Sequence, residues 1–289
     1  MKTPFDRELG KSQGANIEFS ALAGAYLPNL YYLSHTWVEQ NIDRIFPTAH
    51  EQNWRSAMEG FSFDPMFNRE LYLLLRAHGH LTKAFEVTFK SARVREQLTR
   101  YVAIGYLLDL ETLDGAGLFA KILREWRAND ISQIIWFFWD HHKQRIDDGI
   151  LRRILAFWDW CSSRIEGRET ENELILSDLN LLAALLDSID DTRLRWLLMS
   201  APYVEVQYRG PFLLEYLTRL ASPSPQAVAQ IVITMLTTAT PTYHADHIRS
   251  LVTKLYDAGL TEEADAVCNM YATRGHSDLL RDLYERHHH

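Results

Sequence analysis

Asp140, His141 and His142 follow six apolar residues in the stretch IIWFFWDHHKQR. A carboxylate and two imidazoles are side chains that hold divalent cations, and two such cations about 4 Å apart would clamp a phosphodiester for hydrolysis. That chemistry needs carboxylates and imidazoles arriving from several elements, and no upstream run of spaced His and Asp supplies the remainder. The preceding residues set a different expectation. Ile131, Ile134, Ile135 and Phe138 recur at helical spacing. Neighbours on a helix point about 100° apart, so the three polar side chains diverge. His, Lys and Arg also suit the negative end of a helix. The triplet is therefore expected to be the polar end of a buried helix, with metal-assisted hydrolysis through Asp140, His141 and His142 as the alternative.

Other motifs stop short of chemistry. LGKS (Leu9 to Ser12) has Phe5 where a phosphate-binding loop needs its first glycine. AHEQNW (Ala49 to Trp54) has Trp54 in place of the second histidine of a zinc-protease helix. HADH (His244 to His247) places two imidazoles on neighbouring turns without an evident third ligand. His78-Gly79-His80 falls at the turn of a helix pair, where polar residues belong. There is no GxSxG, and FWDWC (157–161) reads as core. Cys161 and Cys268 lie on apolar helical faces without a CxxC partner and are expected to be buried thiols of a reducing, cytoplasmic compartment. His287, His288 and His289 read as the remnant of an affinity tag. No cofactor and no metal are expected.

Charge bounds the partners. The net charge of −8 disfavours a general nucleic-acid binder. One stretch runs the other way: Arg76, Lys83, Lys90, Arg93, Arg95 and Arg100 face only Glu86 and Glu96. A solvated helical face accounts for it; a docking patch for an acidic partner, centred on Arg93, Arg95 and Arg100, is the functional reading. No apolar run approaches the roughly 18 residues that span a bilayer, so no membrane contact is expected.

The elements that must position these residues are helical. In GILRRILAFWDWC the apolar residues form one stripe, and Asp147 or Asp148 stands where an N-cap belongs. SDLNLLAALLDSID repeats the pattern with Ser177 or Asp178 as cap, and HIRSLVTKLYDAGL ends at Gly259, the expected left-handed terminator. Glycines and prolines cut the chain into segments of about 10 to 20 residues, giving about 13 to 15 helices joined by short turns. YVEVQY (203–208) alternates like a strand, but Pro202 before it marks a helix start. Residues 71–87 align without a gap to 251–267, matching at Leu71/Leu251, Leu75/Leu255, Gly79/Gly259, Ala84/Ala264 and Val87/Val267. Leucines four apart, a turn glycine and a small alanine describe a helical hairpin used twice. The expected fold is all-α: an α-solenoid of stacked antiparallel helix pairs, HEAT- or tetratricopeptide-like, curving into an arc. Residues 1–16 are expected to fray, 17–286 to form one helical-repeat domain with a possible subdivision at EGRETENE (166–173), and 287–289 to lie outside it.

WRSAMEGF (54–61), IIWFFW (134–139), ILAFWDWC (154–161), LSDLNLL (176–182), APYV (201–204) and the closing LYERH together resemble the all-helical C-terminal regions of large multidomain bacterial proteins, some linked to anti-phage defence. The resemblance spans most of the chain and rests on aromatic and leucine positions. It implies a repeat region separated from any enzymatic domain and transfers no functional residue. The function expected is a non-enzymatic protein-interaction or regulatory module of a larger bacterial system, holding a protein segment or another domain of its parent. A phosphoesterase using the triplet and a nucleic-acid-binding solenoid are the alternatives.

Overall fold

The computed structural model describes residues 4–11, 14–242 and 245–288, and every regular element among them is helical. Two compact units divide the chain, one ending at Glu125 and the other beginning at Trp126. The division thus falls at 125/126, and the 166–173 loop, named above as a possible subdivision of one domain, lies inside the second unit. The first unit holds α1 (Pro4–Lys11), α2 (Ile17–Ala25), α3 (Leu27–Leu33), α4 (His35–Ile45), α5 (Glu51–Phe61), α6 (Arg69–Ala77), α7 (His80–Glu86), α8 (Ala92–Leu107) and α9 (Leu118–Glu125). The second holds α10 (Ala128–Asp140), α11 (Asp148–Ile165), α12 (Glu173–Leu179), α13 (Asp191–Ser200), α14 (Gly210–Leu220), α15 (Pro225–Leu236), α16 (Ala245–Asp257), α17 (Thr261–Thr273) and α18 (Arg281–His288). Short 3-10 segments cover Glu169–Glu171, Asn180–Leu185, Ala201–Gln207 and Ser277–Leu279.

The described residues thus carry 18 α-helices where the sequence spacing gives 13 to 15. The excess comes from breaks that need no Gly or Pro. Ser34, extended, caps α4 by accepting from the Trp37 amide, which separates α4 from α3. Pro4–Lys11 is a helix with Leu9 fully buried, rather than frayed chain. The Trp37 indole holds it in place by donating to Asp6 at 3.3 Å.

The expected face of α16 is the buried one, and that of α11 is buried in part, Ile150, Leu151 and Leu155 being only half-buried. Asp147 caps α11, accepting from Gly149 at 2.7 Å, and α11 buries Ile154, Phe157, Trp158 and Cys161. α16 buries Ile248, Leu251, Val252 and Leu255. The two aligned hairpins turn alike: Gly79 and Gly259 adopt φ of 75° and 77°, and Leu71, Leu75, Ala84, Leu251, Leu255, Ala264 and Val267 are all buried. One start is misplaced by sequence. Ser177 and Asp178 lie inside α12 instead of capping it. Ser177 accepts from the Gln207 amide and Asp178 pairs with Arg209 at 2.8 Å, so both are engaged by the 3-10 segment and the turn that follows α13. YVEVQY is the end of that 3-10 segment and its terminator, not a strand.

The tightest packing is α2 against α5. The backbones touch: a Cβ on Gly24 would lie 1.9 Å from the Ala57 carbonyl oxygen, and one on Gly60 would lie 2.0 Å from that of Ala21. Asn53 locks this crossing, donating to Ser20 Oγ and the Ala15 carbonyl, each at 2.9 Å. In the second unit, α14 packs on α15 and on α16, α15 on α17, and α16 on α17. Basic side chains reach backbone carbonyls in or just beyond the last turn of another helical segment, near the negative pole of its dipole. Arg219 donates to Ala184 O at a separation of 35 residues, Lys254 to Thr218 O at 36 and Arg274 to Ala239 O at 35. The first unit uses the same device, with Arg76 on Leu110 O at 34 and Lys83 on Thr48 O at 35.

Candidate functional site

Asp140 ends α10, and His141 and His142 occupy its cap and the turn beyond. Each imidazole folds back on its own helix: His141 Nδ1 bonds the Phe137 carbonyl at 2.8 Å, and His142 Nδ1 bonds that of Trp139 at 2.7 Å. Both rings then stack on aromatics, His141 edge-on to Phe137 and His142 flat on Trp139 at 4.8 Å. The Trp139 indole donates to the Tyr216 hydroxyl at 2.7 Å, which anchors this end of α10 on α14. The three side chains do not bring ligand atoms together. Among the described residues, one group of three or more His, Cys, Asp or Glu does, and it is Asp43, His78 and His80.

That group joins α4 to the α6–α7 turn. His80 starts α7 immediately after left-handed Gly79 and is almost fully buried, whereas Asp43 is open to solvent. His78 Nδ1 lies 3.0 and 3.1 Å from the two Asp43 oxygens, His80 Nε2 lies 3.0 Å from Oδ1, and all the ligand atoms fall within 4.8 Å. The spacing suits a cation, but the buried side of His80 does not. The Trp54 indole N–H donates to His80 Nδ1 at 3.3 Å, so the ring proton sits on Nε2 and points at Asp43. A histidine that ligates through one nitrogen offers an N–H, not a lone pair, to its neighbour on the other side. Here the neighbour is itself a donor. Lys83, with its ammonium 4.5 Å over the Trp54 ring, adds positive charge nearby. Burial pushes the His80 pKa down, outweighing the pull of Asp43. The arrangement is that of a carboxylate bridging two imidazoles, a strut between helices. The His78-Gly79-His80 turn is legible in the sequence; Asp43, 35 residues away, is not.

The basic stretch is divided between internal and surface duties. Arg76 binds Leu110 O and the buried Glu111 carboxylate at 2.7 Å, Lys83 caps Thr48, and Arg95 reaches Phe85 O and Glu125. Arg93 and Arg100 are exposed, and the Arg93 guanidinium lies 5.6 Å over the Phe63 ring. Phe63 is one of several exposed apolar side chains that the sequence reading missed. Tyr32 is 85% exposed, Leu33 77%, Phe63 71% and Met66 76%, with Leu22 and Tyr26 more than half exposed. Six of the eleven exposed large apolar residues described thus fall between positions 22 and 66. The signal was available: Tyr32 and Leu33 end a short helix, and Phe63 and Met66 stand in a loop, where an apolar side chain has no helical stripe to join.

Among the remaining candidates, Cys161 and Cys268 are both buried, and burial pushes both thiols above their ordinary pKa. His244 of the HADH stretch and Ser12 of LGKS lie outside the described residues. No described helix is long and apolar enough to cross a membrane. No family model, no curated protein and no solved structure matches this chain.

Proposed function

We propose that the chain is a non-enzymatic helical-repeat module that holds a protein segment, acting in the cytoplasm as part of a larger bacterial system, as the resemblance in its sequence implies. The repeat reading is supported by spacing. Contacts between α14 and α16 and between α15 and α17 are those of stacked hairpins, and α15 and α17 start 36 residues apart, at Pro225 and Thr261. Several bonds from a basic side chain to a backbone carbonyl, in both units, span 34 to 36 residues. The aligned hairpins, at 71 and 251, lie 180 residues apart, five spacings of 36. Tetratricopeptide and HEAT units have periods of about 34 to 47 residues.

The observation that carries the interaction reading is the exposed apolar surface of Leu22, Tyr26, Tyr32, Leu33, Phe63 and Met66. Exposed large apolar side chains mark protein contact where they form one patch, and the proposal takes these six to do so. The α2/α5 crossing gives it a base, since α2 carries Leu22, Tyr26 caps the end of α2, and α5 leads into the loop of Phe63 and Met66. Arg93 over Phe63 adds positive charge, so the occupant is a segment with apolar anchors and acidic flanks.

A photo-crosslinking residue placed at Tyr32, at Phe63 and, as control, at exposed Glu262 tests this in the native host. The same polypeptide is expected in adducts from positions 32 and 63, with Arg93→Glu lowering the yield. Equal yields at position 262 would overturn the proposal.

A further inference from the structure

A cleft lies wholly within the second unit, apart from the apolar residues above. Its volume is about 290 Å³, and it opens where the start of α10 meets the 3-10 turn and the first turn of α12. Its apolar lining comes from Trp126, Leu174 and Val206, and its rim carries Glu171 and Glu173. Leu174 and Val206 are exposed although both are aliphatic, and so are both carboxylates. The Trp126 wall is fixed from three directions: its indole N–H donates to Asn172 at 2.7 Å, Trp160 packs at 5.8 Å, and the Arg164 guanidinium lies 4.8 Å over the ring.

We propose that this cleft receives a lysine or arginine side chain from a partner polypeptide, the aliphatic stem lying on Trp126, Leu174 and Val206 and the cationic head meeting Glu171 and Glu173. Long basic side chains are amphipathic in this way, a greasy stem carrying a charged tip. The volume suits one such side chain and is too small for a folded segment. Charge selects the occupant. The Tyr203 hydroxyl pKa is pushed up first by burial and then by Glu169 and Glu173, in keeping with acidic side chains at this end of α12. Arg164 already occupies the Trp126 ring, so attraction for a new cation comes from the carboxylates and the indole contributes mainly contact area. The neighbouring Glu169 side chain is engaged by the Gly167 amide, which leaves Glu171 and Glu173 as the pair facing a ligand.

The test uses the full chain and a fluorescein-labelled peptide, Gly-Ala-Lys-Ala-Gly, read by anisotropy, with the N-acetyl-lysine form of the same peptide and free butylamine as comparators. Glu171→Gln with Glu173→Gln removes both charges from exposed positions and keeps the shape. The lysine peptide is expected to bind, the acetylated one to bind at least tenfold more weakly, and the double Gln variant to lose about tenfold, as two partly screened ion pairs would give. Leu174→Ser is expected to weaken both peptides equally. Equal binding of the two peptides, full affinity in the Gln variant or no binding at millimolar peptide would overturn the proposal. Butylamine binding as tightly as the peptide would reassign the cleft to a free amine and overturn the polypeptide assignment.

Discussion

Replacing Gly24 with Ala puts opposing effects in direct competition. Alanine favours a helix interior over glycine by about 1 kcal/mol, so in open space the change would stabilise α2. Gly24 is not in open space. The new Cβ would stand 1.9 Å from the Ala57 carbonyl oxygen, 2.7 Å from its carbon and 3.0 Å from its Cα, all backbone atoms that cannot rotate away. An ordinary C···O contact is about 3.3 Å or more, so α2 and α5 must part by over about 1 Å. Overpacking of this kind costs about 1–3 kcal/mol. Parting also loosens the Asn53 bonds to Ser20 and Ala15, which are about 1 kcal/mol each when intact. The net expectation is a loss of about 2–4 kcal/mol, or roughly 6–12 °C in melting temperature. Gly60→Ala should behave alike, its Cβ meeting Ala21 O at 2.0 Å. Gly10→Ala is the control, because nothing lies within 4 Å of a Cβ there; it should be neutral or stabilising by up to about 1 kcal/mol. Melting followed by circular dichroism and by tryptophan fluorescence reads all three. A Gly24→Ala protein as stable as Gly10→Ala would refute the backbone contact.

Three other predictions follow from the same geometry. Arg219→Met and Arg274→Met each remove charge-assisted bonds to helix-end carbonyls and should cost about 1–2 kcal/mol in urea titration; no loss would remove this capping from the account. His80, with its folded pKa depressed below 6.5, is held neutral, so the unfolded chain binds the extra proton. Its contribution is complete above pH 6.5 and falls away as pH drops from 6.5 toward the folded value. Against His80→Gln, the wild type should therefore lose stability faster below pH 6.5, and parallel pH curves would contradict the burial argument. Zinc added at micromolar concentration should leave the melting temperature unchanged, because ligation at His80 Nε2 requires breaking the Trp54 bond to Nδ1; a rise of several degrees that His78→Ala abolishes would restore a metal site.

What could be seen in the sequence was whatever depends on neighbours in the chain. The stripes of α11 and α16, the Asp147 cap and the paired Gly79 and Gly259 turns follow from spacing within about 20 residues. The divergence of Asp140, His141 and His142 followed from the same helical logic. Misses arose where a partner distant in the chain decides. Ser177 and Asp178 look like caps until Gln207 and Arg209 claim them, and Asp43 gives no local hint that it bridges His78 and His80. Arg76, Lys83 and Arg95 read as a basic surface, although each reaches a carbonyl or carboxylate of its own unit. Separations of 34 or 35 residues link Arg76 to Leu110, Lys83 to Thr48 and Asp43 to His78, and they become visible only once the bonds are known.

Amide hydrogen exchange on the full chain, alone and with the polypeptide recovered from the crosslinked adducts, tests the account most directly. Added protection is expected in α2, α3 and residues 62–68, with the turn after α10 unchanged. Protection centred on residues 140–142, with exchange at 22–33 and 62–68 unaltered, would contradict it.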